Sequence, residues 1–378
     1  MTSQKAWQLV PQARRIVLKV GSSTLTREGR LRPDRFTKLA RDVSRVVDTG
    51  RQVVLVSSGA IAVGAHRLGW EDAGRSIRQK QAAAAVGQIG LVELYQRRFN
   101  RLGREVGQIL LTRSGLQDRE RFLNARHTML ELLGLGVVPI VNENDSVATE
   151  EIRFGDNDNL AATIVNAVEA DLLVILTDVE GLYERAPEEG EPAPPLIRTV
   201  EKITPAIERA ASGAGTRFGS GGMITKLEAA RNAARSGAAT ILCHGQIPDV
   251  LGKLVAGEEH GTLFAPGERL QSRKHWLAFT ARTRGRVVID AGAVRALVER
   301  GRSLLPAGIL RVEGDFGIGE SVSCVNEQGE EVARGLPAYS AQDVGRLAGL
   351  ATREIERVLG YSNGDEVIHR DDLVLLRD

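Results

Sequence analysis

The chain has few cysteines, almost no net charge and no long apolar run. Only Cys243 and Cys324 occur among 378 residues, far apart and in no C-x-x-C spacing. That argues against a disulfide framework and a cysteine zinc site, and it suits a reducing cytosol. The net charge of +2 gives no bulk attraction to nucleic acid or a membrane. No stretch approaches the ~20 apolar residues of a membrane span. The opening "MTSQKAWQLVPQARR" lacks the apolar centre of a signal peptide. The expectation is a soluble, cytoplasmic protein. Its 42% apolar and 26% charged residues are the balance of a globular chain rather than a disordered one. The length calls for a large unit with a smaller companion.

Short β-branched runs recur with helical patterns between them. "RIVLKV" (15–20), "QVVLVSS" (52–58), "VVPIVN" (137–142), "LLVILT" (172–177) and "ATILC" (239–243) read as buried strands, and "VGQILL" (106–111) as a weaker one. None alternates apolar with polar, so the spacing predicts a mostly parallel sheet covered on both sides. Segments 76–102 and 119–134 carry apolar residues at helical spacing. The repeated β-α order is that of a doubly wound α/β layer structure. "RAPEEGEPAPPLI" (185–197), rich in proline and glutamate, reads as a surface loop. Beyond residue 284, short strands with glycine turns follow one another as in small β-barrels. The expected division is a first domain over 1–275 and a second over 285–368.

Three loops stand where an open parallel sheet binds ligands, beyond the carboxyl ends of strands. In "LKVGSSTL", Lys19 lies inside the end of a strand, and Gly21, Ser22 and Ser23 follow. In "VSSGAIAVG", Ser57, Ser58 and Gly59 precede a helix. In "FGSGGMITKLEAA", Gly219, Gly221 and Gly222 precede Thr225 and Lys226. The last is not a P-loop, because leucine follows its lysine. It still combines backbone donors with one mobile cation, which makes an anion site. Lys19 and Lys226 would repel each other on one polyphosphate, by ~4 kcal/mol at ~4 Å and an effective dielectric near 20. A carboxylate between them removes that penalty. "FGDNDNLAATIV" (154–165) crowds Asp156, Asn157, Asp158 and Asn159 before an apolar helix, where one cap would suffice.

The ordered set "KVGSS", "VSSGAIAVG", "NENDSVAT", "FGDNDNLAA", "LLVILTDVEGLY" and "SGGMITK", with "RERFLNARHT" between, resembles the amino acid kinase family, in particular members that phosphorylate free glutamate. "SLLPAGILRVEGDF" resembles the PUA module that some of them carry. The resemblance spans essentially the whole chain. It implies the amino acid kinase fold followed by a small PUA-like β-barrel. It also implies ATP-dependent phosphorylation of the γ-carboxylate of L-glutamate, the committed step toward proline. A magnesium-bound nucleotide, a homo-oligomer (dimer or tetramer) and feedback inhibition by L-proline come with it. By the same resemblance, Lys19 and Lys226 contact the transferring phosphoryl group and Asp158 orients both. Ser58, Asp145 and Asn157 bind glutamate, with Gly59 and Asp156 in the same group. Thr177 and Asp178 bind the nucleotide, together with Gly21 and Ser22 of the first loop. Ser220, Gly221, Gly222, Met223, Ile224, Thr225 and Lys226 form the phosphate loop. No residue is assigned to a metal. Ser220 stands where many relatives have threonine, and both offer a hydroxyl.

Two alternatives stand beside this reading. Kinases of the same fold act on acetylglutamate, aspartate, carbamate or a nucleoside monophosphate, and fold alone does not choose. "NENDSVAT" with "GDNDN" favours free glutamate. The second alternative is an RNA-binding or RNA-modification protein, on account of the C-terminal part. Residues 285–378 hold 11 arginines and no lysine against 16 acidic residues, which argues against a phosphate-binding surface but leaves a local arginine patch open. "DFG" (315–317) and "HRDDL" (369–373) match protein-kinase signatures, but in the wrong order and without the accompanying glycine loop.

Overall fold

Strand β1 (Arg15–Val20) is buried from Ile16 onward, and it sits near the middle of the larger sheet. The structure is a computed structural model describing residues 3–27, 30–72, 74, 76–147, 157–187, 191–212, 222–267 and 272–376. After β1 come a small hairpin, β2 (Thr26–Arg27) and β3 (Arg30–Leu31), and then β4 (Gln52–Ser57), β5 (Val106–Leu111) and β6 (Val138–Glu143). They are followed by β7 (Leu172–Thr177), β8 (Thr199–Val200), β9 (Ala239–His244) and β10 (Thr262–Phe264). The eight-stranded sheet has the order β5-β6-β4-β1-β7-β9-β10-β8. From β5 to β9 every pairing is parallel, while β10 runs antiparallel to β9 and pairs in parallel with β8.

All six positions of β6 and of β7 are buried, which is why these runs show no in-out alternation. The edge strand β5 is largely half-exposed, and its sequence signal is correspondingly weaker. Strands β8 and β10, two and three residues long, escape periodicity altogether. From β1 the chain extends to one side through β4 and to the other through β7. Such a switch of direction opens a crevice at the carboxyl ends of the strands.

Helices Ile77–Asn100 and Arg119–Gly134 fall on the two segments with helical spacing. The first begins with a capping box between Ser76 and Gln79. It crosses helix Ala60–Arg67 at two glycines: a Cβ on Gly87 would lie 1.7 Å from Ala60 O, and one on Gly64 would lie 1.7 Å from Ala83 O. The proline- and glutamate-rich loop is tied at its ends, where Glu184 N donates to Pro195 O and Ile197 N to Leu182 O.

The chain divides into two units, residues 1–116 with 120–270, and residues 271–378 with 117–119. The second holds β11 (Gly285–Ile289), β12 (Ile309–Gly314), β13 (Val322–Val325), β14 (Glu331–Gly335) and β15 (Leu373–Leu375), in the order β12-β11-β13-β14-β15. Helices Ala291–Val298 and Ala341–Leu347, which the sequence reading passes over, complete its core. The "DFG" and "HRDDL" matches both lie here. Phe316 is a buried core residue under Gly285, and Leu373 begins β15. Cys243 and Cys324 are each buried and free, and burial raises both thiols to about 12.

Candidate active site

Lys19 lies in β1 between Val56 of β4 and Ile175 of β7, and it is only 6% exposed. An ammonium this buried requires a partner. Helix Asn157–Val168 supplies it: Lys19 Nζ is 2.5 Å from Asp158 Oδ1. On the other carboxylate oxygen, Lys226 Nζ stands 3.1 Å from Asp158 Oδ2. Thr225 Oγ1 lies 3.1 Å from the same oxygen and 2.8 Å from Gly222 O, and its single proton serves one of them at a time. Asp158 is fully buried. Burial alone would raise its pKa, but the charges and hydrogen bonds of Lys19 and Lys226 outweigh burial and hold it down at about 2. The result is two cations and one anion, a net positive charge fixed at the end of a buried strand.

The nucleotide candidates of the described residues gather at the same edge. Gly21 follows β1 in an extended conformation, so torsion does not demand glycine there. A Cβ at Gly21 would lie 3.8 Å from Lys19 Nζ and 3.8 Å from Ser23 Oγ, so its absence keeps the space beside the ammonium open. Ser22 begins the short turn that follows and is exposed. Thr177 ends the neighbouring β7, and its hydroxyl donates to Asp178 Oδ1 at 3.0 Å. Gly222 precedes the helix Met223–Arg235, whose first amides have no intrahelical partner. Met223 and Lys226 of that helix are buried, while Ile224 is exposed.

On the β4 side lies a second group. Asn157 Nδ2 donates toward Ser57 O (3.1 Å), Ser58 Oγ (3.0 Å) and Asn142 Oδ1 (3.1 Å). Asn142 Nδ2 donates in turn to Gln88 Oε1 at 2.8 Å. Gly59, with φ +110°, makes the left-handed turn from β4 into helix Ala60–Arg67. Buried Ser57 Oγ meets Tyr95 OH at 2.8 Å, which fixes the floor of this turn. Asp145 follows β6 and lines a pocket of about 290 Å³ with Gln88, Glu143 and Asn144. Asp156, Gly219, Ser220 and Gly221 lie outside the described residues.

Sequence reasoning did not single out Asn142 or Gln88. Asn142 left a signal, a polar residue closing the apolar run "VVPIV" that proves 1% exposed. Gln88 left none, since a glutamine on an amphipathic helix reads as its wet face. Among the described residues, no group of three or more His, Cys, Asp or Glu side chains is arranged to hold a metal ion. No described helix is long and apolar enough to cross a membrane.

Residues 14–244 match the profile of the Amino acid kinase family, and residues 285–359 match the PUA domain. A glutamate 5-kinase of Cupriavidus metallidurans is 50% identical over 370 residues, covering 97% of this chain and 99% of the relative. A glutamate 5-kinase of Methylobacillus flagellatus is 51% identical and one of Geobacter sulfurreducens 48%, each with the same coverage.

Proposed function

The chain belongs to the amino acid kinase family, among its glutamate 5-kinases, and from that premise we propose how its own residues carry the reaction. It uses ATP to phosphorylate the γ-carboxylate of L-glutamate, giving γ-glutamyl phosphate, the first step of proline biosynthesis. The observation that carries the site assignment is the buried Lys19–Asp158–Lys226 bridge.

The nucleophile is a carboxylate with a reference pKa of ~4.3, ionised at neutral pH, so no general base is needed. What the reaction needs is charge compensation. An oxygen of the γ-carboxylate attacks the γ-phosphorus, and the bond to the β,γ-bridging oxygen breaks as ADP leaves. Negative charge spreads over the transferring group and the bridging oxygen, and positioned cations stabilise it. In this reading Lys19 and Lys226 are those cations, and Asp158 holds both in place without repulsion. Gly21, Ser22, Thr177, Asp178 and the loop Ser220–Lys226 hold the nucleotide at the β1–β7 edge. Ser58, Gly59, Asp145, Asp156 and Asn157 hold glutamate on the β4–β6 side, with Asp145 matched to its α-ammonium.

The described residues form no cage for Mg²⁺, so in this reading the ion arrives on the nucleotide phosphates. We also read the protein as a cytoplasmic homo-oligomer sensitive to L-proline, on the strength of the family resemblance. The excess of acidic residues over arginine in 285–378 favours a structural or regulatory role for the PUA domain over RNA binding.

The test is an ATP- and Mg²⁺-dependent assay with L-glutamate and hydroxylamine, which traps the acyl phosphate as hydroxamate. L-aspartate, N-acetylglutamate and UMP run beside it, with ADP followed for each. Hydroxamate from glutamate alone is the expected result. ADP release with another acceptor and none with glutamate would replace the substrate.

A further inference from the structure

The amides on the glutamate side of the site are not free to choose their orientation. Ser57 O is a backbone carbonyl and can only accept, so the Asn157 side chain must turn its NH₂ toward it. That same nitrogen reaches Asn142, which must therefore answer with Oδ1 and turn its own NH₂ away. The Asn142 NH₂ reaches Gln88, which must answer with Oε1. Turning any one of these amides over would set donor against donor. The direction of the relay is thus fixed by one carbonyl, and it ends on Gln88 Nε2, a donor.

Gln88 Nε2 is buried and has no hydrogen-bond partner among the described residues. Gln88 also lines the pocket of about 290 Å³ that carries Asp145, Asn144 and Glu143. A buried donor without a partner is a cost that a folded chain rarely carries without a use. The pocket wall offers an acid for a cation, and the relay offers a donor for an oxygen. Those are the two groups on the α-carbon of an amino acid.

We propose that Gln88 is a further binding residue for the amino-acid substrate, its Nε2 donating to the α-carboxylate of glutamate. The inference rests on the glutamate reading above and adds a residue to it. The order of the relay decides which end of the substrate is meant. Asn157 is next to Asp158 and its two lysines, so the reacting γ-carboxylate belongs at that end. Gln88 is two amides further on, where the opposite end of glutamate arrives. A neutral amide donor there accepts a carboxylate without adding another fixed charge to a site that already holds two lysines.

The experiment is a cycle between one residue and one substrate group, in the full-length enzyme. Gln88→Glu keeps an acceptor for Asn142 but replaces the donor with a carboxylate, and Gln88→Leu removes both. Each is assayed with L-glutamate and with 4-aminobutanoate, which keeps the carboxylate to be phosphorylated and the amine but lacks the α-carboxylate. If 4-aminobutanoate is not turned over, its inhibition constant against glutamate supplies the comparison. The expected result is a rise of roughly 10- to 100-fold in the glutamate KM of Gln88→Glu, the range of a lost hydrogen bond to a charged group. The KM for ATP stays put, and 4-aminobutanoate is handled as by wild type. An unchanged glutamate KM overturns the proposal, and so does an equal loss on both compounds in both variants, which marks a role in folding. Altered assembly with an unchanged glutamate KM overturns it too, in favour of a contact between copies. Wild-type enzyme that makes no product from glutamate overturns the function itself, before any variant is read.

Discussion

Asn157 and Asp158 are consecutive residues at the head of one helix, and their side chains serve different halves of the site. Asn157 reaches Ser58 and Asn142 at the end of β4 and β6, whereas Asp158 reaches Lys19 and Lys226. In the proposed reading, one helix terminus thereby sets the distance between the acceptor group and the cations that meet the phosphoryl group. Phosphoryl transfer depends mostly on such positioning, and small displacements lose much of the rate. On that reading, Asn157 and Asp158 each have a task beyond capping the helix that they begin.

Replacing Asp158 by asparagine leaves the shape and removes the charge between two buried ammonium groups. The kcat is expected to fall by ~10²–10⁴, as for loss of an electrostatic group in a transition state. Lys19→Ala and Lys226→Ala are expected to lose similar amounts, and the double variant less than the sum, because the three groups act as a unit. Folded single variants with wild-type turnover would contradict the assignment. The carboxyl of Asp158 has a depressed pKa, so it contributes stability above its ordinary 3.8 and loses it as pH falls through about 2. The melting difference between wild type and Asp158→Asn should accordingly shrink between pH 4 and 2.

Gly87→Ala tests whether the helix crossing positions the glutamate side. A methyl group there would meet Ala60 O at 1.7 Å and Gly64 N at 2.4 Å, both backbone atoms that move only with their helix. Overpacking of this kind costs about 1–3 kcal/mol, which lowers the melting temperature by roughly 2–12 °C in a unit of this size. Helix Ala60–Arg67 follows directly on Ser58 and Gly59, and Gln88 is the next residue on the other helix. The glutamate KM should therefore rise while the ATP KM does not. Steady-state kinetics below the new melting point read both, and equal changes in the two constants would count against the local origin.

How much of this was legible in the sequence follows from the range of the interactions. Lys19 stands out because it lies at a strand end just before the loop 21–23, where an open parallel sheet binds ligands, and Asp158 because it belongs to four polar residues in front of an apolar run. Both are local signals. Gln88 depends on Asn142, 54 positions away, and Asn157 on Ser57, 100 positions away. Local periodicity carries nothing about such pairs. The reversed direction of β10 was hidden for another reason: a strand buried on both faces looks the same whichever way it runs. In the second unit, glycine turns and short strands dominated the pattern. Its helices Ala291–Val298 and Ala341–Leu347 span only two turns each, too short to impose a period of 3.6.

Away from the active site, Asp42 predicts a pH dependence of stability. It lies on helix Pro33–Asp48 facing Asp249, which ends a left-handed turn at φ 53° before helix Val250–Val255. Burial and the neighbouring Asp249 raise its pKa to about 6, against the opposing pull of Arg45. Arg45 is itself engaged with Asp249 at 3.1 Å. Arg35, Lys38 and Arg41 of the same helix line the cavity around the pair, and Gln246 faces it from the other side. The sign follows from proton counting. Between the ordinary 3.8 and about 6 the folded chain holds a proton that the unfolded chain releases, so stability is greatest below this window and declines as pH rises through it. Asp42→Asn keeps a hydrogen bond to Asp249 without a second charge, and it should melt higher than wild type at pH 7.5. At pH 4 the two should converge. Calorimetry at pH 4, 5, 6 and 7.5 gives both curves, and parallel curves for the two proteins would show that the carboxyl of Asp42 titrates alike in the folded and unfolded chain.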